Sequence, residues 1–117
     1  SLLVRNYQTQ DRTPESPTAY ALCYSCHDRS SILADETFSQ HRLHVVDNST
    51  PCSACHDPHG ISLTQGDLDR NSHLINFDSS IVRPNGADEL RFEDRGSRAG
   101  ACYLACHNSE HDEFSYQ

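Results

Sequence analysis

The stretch that decides the fold is Cys23-Tyr24-Ser25-Cys26-His27, because the chain repeats its pattern twice more. The second copy is Cys52-Ser53-Ala54-Cys55-His56. The third is Cys102-Tyr103-Leu104-Ala105-Cys106-His107, which has one extra residue between the cysteines. We call these stretches the first, second and third motif. Histidine occupies 8 of 117 positions, so three such placements by chance have odds of roughly one in three thousand.

The spacing of each motif has a chemical explanation. Residues three or four apart lie on one face of a helical turn, so two thiols can reach the two vinyl groups of one porphyrin. The next histidine then lies against the ring and can bind iron, as in c-type haem attachment. We therefore predict three molecules of haem c. The predicted thioether bonds involve Cys23, Cys26, Cys52, Cys55, Cys102 and Cys106, and the predicted proximal iron ligands are His27, His56 and His107.

Three other uses of paired cysteines explain less of the pattern. Zinc ribbons contain Cys-x-x-Cys pairs but do not need a histidine after each pair. Three disulfides would suit a small exported domain, yet they leave the histidines unexplained. A thioredoxin-like site needs one such pair on a βαβ frame, which the sequence does not predict.

The remaining histidines supply the distal iron ligands in this interpretation. The chain contains no methionine, so each iron is expected to have two histidine ligands and a low reduction potential. Such an iron has no open position for substrate, so we expect an electron carrier and not an enzyme. Three of five candidates are needed, and spacing alone leaves the choice open among His41, His44, His59, His73 and His111.

Composition limits the partners. Hydrophobic residues make up only 35% of the chain, which favours a core built around haem macrocycles. The net charge is −8, and all nine basic residues are arginines. This acidity argues against nucleic acid as a partner, because phosphate binding needs clustered positive charge. No run of 18 apolar residues occurs, so we predict no membrane span.

The predicted fold is a small multihaem domain with short α-helices, much coil and a minor β-hairpin. Residues 1–18 are expected to form an extended N-terminal arm with an edge strand at 2–7, and residues 19–117 a single domain carrying the three haems. The predicted hairpin pairs 74–77 with 90–92. Helices or helical turns are predicted at 18–28, 35–44, 51–57 and 98–108.

These features resemble the low-potential multihaem c-type cytochromes. His41-x-x-His44 followed by the second motif looks like members with three or four haems, and Cys55-His56-Asp57-Pro58-His59-Gly60 is similar to the doubled Cys-x-x-Cys-His cytochromes of metal-respiring bacteria. The resemblance implies that His41 is the distal ligand of the His56 haem and His44 that of the His27 haem. It also makes His59 a further distal candidate. Because such haems are attached after export, it implies a periplasmic or extracellular location.

Three functions follow as alternatives. Related extracellular cytochromes polymerise, so the first is a conducting subunit of an extracellular filament, with copies of itself as partners. The second is a soluble periplasmic carrier, or a module of a larger cytochrome, that exchanges electrons with other redox proteins. The third is a small haem reductase. Extracellular metal or another cytochrome is the expected terminal acceptor.

Overall fold

The computed structural model describes residues 5, 7–59, 73–107 and 109–117. The chain divides into two compact units, Ser1–Cys52 and Ser53–Gln117, which we call the N-terminal and C-terminal units. The boundary between them falls inside the second motif. Within the described ranges, no helix has the length and apolar character needed to cross a bilayer.

Two short helices surround the first motif in the N-terminal unit. Helix α1 is Ala21–Tyr24 and helix α2 is Arg29–Leu33. We predicted one helix over 18–28. That range contains only the shorter α1, and α2, which was not predicted, begins after it. The Asp28 backbone is extended, and its side chain caps α2 by accepting hydrogen bonds from the Ser30 and Ser31 N–H groups.

The helix predicted at 35–44 begins later and takes another form. Asp35 has a left-handed backbone with φ of 59°, and its carboxylate accepts a hydrogen bond from the Arg42 N–H. A π-helical turn then runs over Leu43–Asp47. It ends at Asn48, whose backbone and side-chain N–H groups both donate to the Leu43 carbonyl. The turn predicted at 51–57 is present as a 3₁₀ helix, Cys52–Ala54.

The C-terminal unit contains a three-stranded antiparallel sheet in the order β1-β2-β3. Strand β1 is Arg91–Asp94, β2 is Gly100–Cys106 and β3 is Ser109–Tyr116. Strand β2 is central, with Phe92 opposite Cys102 on one side and Phe114 opposite Cys102 on the other. The register shifts between Cys102 and Leu104.

The helix predicted at 98–108 was therefore wrong. Two strands that lie elsewhere in the sequence pair with this segment, and its side chains Tyr103 and Leu104 are buried. Gly100 permits the close packing, because a Cβ atom there would lie 2.7 Å from the Phe92 ring and 2.8 Å from the Tyr116 hydroxyl. Tertiary pairing thus overrides a local helical pattern.

The two segments of the predicted hairpin, 74–77 and 90–92, pair with other parts of the chain. Residues 91–94 do form a strand, but they pair with β2. Ile75 pairs with His56 in an isolated antiparallel bridge. Most of the edge strand predicted at 2–7 lies outside the described residues.

The core of the C-terminal unit combines the sheet with the segments around the second motif. Three partly buried cysteines, Cys55, Cys102 and Cys106, pack against this core. They come from the second and third motifs, so one apolar cluster serves both. Its buried members are Ala54, Ile75, Phe77, Val82, Phe92 and Leu104.

Candidate functional site

The first motif is a closed helical turn. The Cys23 carbonyl accepts hydrogen bonds from the Cys26 N–H at 3.2 Å and from the His27 N–H at 3.0 Å. This geometry places residues three apart on one face, with Cβ atoms about 5–6 Å apart. Cys26 and His27 are both exposed. The first motif therefore has the backbone turn that the predicted haem attachment needs.

An ion pair fixes the flanks of this turn. The Arg29 guanidinium donates to both Glu15 carboxylate oxygens at 2.8 and 2.7 Å, and the Tyr24 hydroxyl donates to the same carboxylate at 3.0 Å. The Glu15 side chain is only 6% exposed. Its hydrogen bonds with Arg29, and then with Tyr24, hold the pKa of Glu15 below its ordinary value despite burial. A residue within the first motif and a residue after it are thus tied to one buried carboxylate that precedes the motif.

The first cysteine has a second thiol beside it. A hydrogen bond from Cys52 lowers the pKa of Cys23 to about 7. Tyr20, which is fully buried, lies close enough to both sulfurs that they add to burial in raising the pKa of its hydroxyl. The pKa values of three cysteines, Cys23, Cys55 and Cys102, depart from the ordinary value, and Cys23 is the most readily ionised of the three.

The second motif is held by the segment that follows residue 72. The Asn76 N–H donates to the Cys55 carbonyl and the Asp57 N–H donates to the Leu74 carbonyl, both at 2.9 Å. The His56 Nδ1–H donates to the His73 carbonyl at 2.7 Å. Because the proton is on Nδ1, the lone pair that can bind a metal is on Nε2. This is the tautomer that a proximal iron ligand needs.

The third motif lies in strand β2 and does not fit one haem in that conformation. Residues four apart in a strand are separated by roughly 13 Å along its axis, against about 5–6 Å between Cβ atoms in a helical turn. Attachment of one porphyrin to both Cys102 and Cys106 therefore requires this segment to leave the strand. His107 follows in the turn between β2 and β3, with a left-handed φ of 46°.

Two thiols of the C-terminal unit, those of Cys55 and Cys102, are poorly ionised. Burial, with smaller contributions from Cys102 and Cys106, raises the pKa of Cys55 to about 12. Burial alone raises the pKa of Cys102 to about 11. All six cysteines are free thiols, with no disulfide among them. In the described part of the chain, no three His, Cys, Asp or Glu side chains converge as a metal site would need.

Two of the five distal candidates lie in the N-terminal unit, next to one aromatic ring. The Phe38 ring centroid is 5.1 Å from that of His41 and 5.9 Å from that of His44. The His44 Nδ1–H donates to the Gln40 carbonyl at 2.8 Å. This bond again assigns the metal-binding lone pair to Nε2.

The other three candidates lie in the C-terminal unit. The His59 Nδ1–H donates to Asp57 Oδ1 at 3.0 Å, and its side chain is 73% exposed. His73 Nε2 is 3.9 Å from Asp94 Oδ2, beyond hydrogen-bond distance. The His111 ring stands against Phe114 with centroids 5.0 Å apart.

Sequence reasoning missed the carboxylates that organise these motifs. Asp28 caps the helix after the first motif, and Asp57 accepts from the His59 side chain and backbone. The His59 backbone N–H is the main reason that the pKa of Asp57 is low, so this carboxylate is ionised at neutral pH. A signal was available, because an aspartate follows the histidine directly in both motifs.

Comparisons of the chain with protein-family models, with curated proteins and with solved structures gave no match.

Proposed function

We propose that this protein transfers electrons through three covalently bound c-type haems, each with two histidine ligands. The observation that carries the proposal is the first motif, where one helical turn presents Cys23, Cys26 and His27 together. The Nδ1–H bond of His56 gives the second motif the ligand tautomer as well. Attachment at the third motif requires residues 102–107 to leave β2.

The residues of the chain have separate tasks in this proposal. The six motif cysteines would hold the porphyrins, and His27, His56 and His107 would bind the irons from one side. Three of His41, His44, His59, His73 and His111 would bind from the other. Haem iron supplies one-electron chemistry when it is bound, and ligation by two histidines without methionine favours a low potential.

The proposed location is outside the cytoplasm, in the periplasm or beyond the cell surface. An acidic chain of net charge −8 suits basic surfaces on redox partners. We propose an extracellular filament as the assembly, with copies of the chain as neighbours. Electron microscopy of the haem-loaded protein at high concentration would then show polymers, whereas monomers alone would favour a soluble carrier or a module of a larger chain.

The experiment that tests electron transfer is spectroscopy on the chain expressed with a c-type haem attachment system. We expect haem that stays with the denatured chain, an entirely six-coordinate low-spin spectrum, and no response to carbon monoxide. Potentiometric titration should give reversible one-electron steps at low potential. A chain that acquires no haem overturns the proposal. A haem that binds carbon monoxide in the unmodified chain favours the haem reductase.

A further inference from the structure

In the C-terminal unit, His59 donates hydrogen bonds to the Asp57 carboxylate, and Asp57 makes further hydrogen bonds of its own. Asp57 Oδ1 accepts from the His59 backbone N–H at 2.8 Å and from the His59 Nδ1–H at 3.0 Å. Asp57 Oδ2 accepts from the Asn76 side-chain amide at 3.1 Å. The Asp57 N–H donates to the Leu74 carbonyl at 2.9 Å. Both oxygens and the backbone of Asp57 are therefore fixed.

The chemistry of this arrangement differs from that at His44 and His56. The Nδ1–H groups of His44 and His56 donate to neutral backbone carbonyls. That of His59 donates to an ionised carboxylate. A carboxylate behind an imidazole fixes the ring, sets the tautomer and makes the opposite nitrogen a stronger ligand. Asp57 thus prepares His59 Nε2 for a metal more strongly than a carbonyl would.

The position of His59 bears on which iron it could bind. It lies three residues after His56, which is proposed to bind the iron of the second motif, so His59 would bind the iron of another motif. Its side chain is 73% exposed, so a planar group can approach Nε2 from solvent. For comparison, His73 Nε2 lies 3.9 Å from Asp94 Oδ2, beyond hydrogen-bond distance.

We propose that Asp57 and Asn76 are positioning residues that present His59 Nε2 as the distal ligand of a haem attached to a motif other than the second. Asp57 orients the imidazole and strengthens its nitrogen, and Asn76 holds Asp57. The inference rests on the proposed function, because it assigns residues to one of the proposed haems.

The first test removes the ligand from the haem-loaded full chain. In His59→Ala, we expect one haem in three to become high-spin and to bind carbon monoxide, while the intact mass still shows every haem. Added imidazole should restore the low-spin spectrum, which a merely structural defect would not allow. A spectrum that stays fully low-spin overturns this inference without touching the proposed function, whereas an unmodified chain that carries no haem mass would count against the proposed function itself.

The second test addresses the positioning residues. Asp57→Asn keeps an oxygen acceptor but removes the charge, so one haem should stay low-spin and gain a higher midpoint potential. Asn76→Ala should shift the same haem in the same direction by a smaller amount. Asp94→Asn is the matched control, because it removes one negative charge from the same unit beside a histidine that it does not hydrogen-bond. Equal shifts in Asp57→Asn and Asp94→Asn would mean a general charge effect and would overturn the positioning role.

Discussion

The first motif lies in a helical turn, whereas the third motif runs along the central strand of a sheet. Both contain two cysteines followed by a histidine, and they differ by one inserted residue. The first is fixed by side-chain hydrogen bonds, with Glu15 bound to Arg29 and Asp28 capping α2. The third is fixed by pairing with the strand on either side of it, with Phe92 and Phe114 opposite Cys102. The same pattern of two cysteines and a histidine thus adopts a helical turn or a strand according to the residues that surround it.

This difference bears on haem attachment. The first motif already has the geometry that one porphyrin needs, so attachment there leaves the backbone in place. The third motif must exchange strand pairing for a helical turn before both thiols reach one ring. We therefore expect haem loading and the β1-β2-β3 sheet to compete at residues 102–107.

The largest expected effect is on the number of haems. Replacing both cysteines of the first motif, Cys23→Ala with Cys26→Ala, should lower the intact mass by one haem. The matching pair Cys102→Ala with Cys106→Ala should also remove one haem, because each motif is proposed to carry its own. If the second pair leaves the haem content unchanged, the strand is retained and the third motif carries none.

The next effect concerns the sheet that holds the third motif. Leu104 is 5% exposed in the core, whereas Leu43 is 45% exposed. Leu104→Ala in the haem-free chain should lower the free energy of unfolding by about 2–5 kcal/mol, because it leaves a cavity. Leu43→Ala is the control and should cost far less. Urea unfolding measures both, and equal costs would contradict the packing of β2.

The backbone of the first motif is better predicted from the sequence than that of the third. The helical turns at residues 23–27 and 52–54 follow from local signals, namely the i, i+3 spacing and prolines at 17 and 51. The strand at 100–106 depends instead on pairing with its two neighbouring strands, whose Phe92 and Tyr116 side chains approach Gly100, and the spacing of the cysteines does not indicate that pairing. The motif cysteines and histidines were evident from spacing. The hydrogen bond from Asn76 to Asp57 was not, since residues 19 positions apart meet only in the fold.

A smaller effect should appear at the ion pair beside the first motif. Glu15→Gln should cost about 1–2 kcal/mol, because a buried charged acceptor is lost while Arg29 remains partly solvated. The folded-state pKa of Glu15 is lowered from an ordinary value of 4.5, so its stabilisation is present above that value and is lost as the pH falls through the folded pKa. Acid unfolding of the haem-free chain measures this.

A surface pair provides the control for Glu15. Arg95 donates to Glu113 at 2.6 Å, but the Glu113 side chain is 55% exposed. Glu113→Gln should change stability little, because exposed ion pairs contribute little. If it changed the acid transition as much as Glu15→Gln does, the buried carboxylate would have no special part in holding the first motif.

The last effect is on thiol reactivity in the haem-free chain, where no change in fold or haem content is involved. Cys23, with a pKa near 7, should react with iodoacetamide at neutral pH much faster than Cys55 or Cys102, whose pKa values are about 12 and 11. Cys52→Ala should slow Cys23, because the hydrogen bond that lowers its pKa is lost. Peptide mass mapping measures each rate. Faster labelling of Cys102 than of Cys23 would reverse the predicted order.

The most direct test of the central claim is the intact mass of the matured chain, followed by mapping of haem-bearing peptides. The account predicts three haem masses on one chain, one on each peptide that contains a motif, including Cys102–His107. A chain with no bound haem, or a third-motif peptide that carries none, would contradict it.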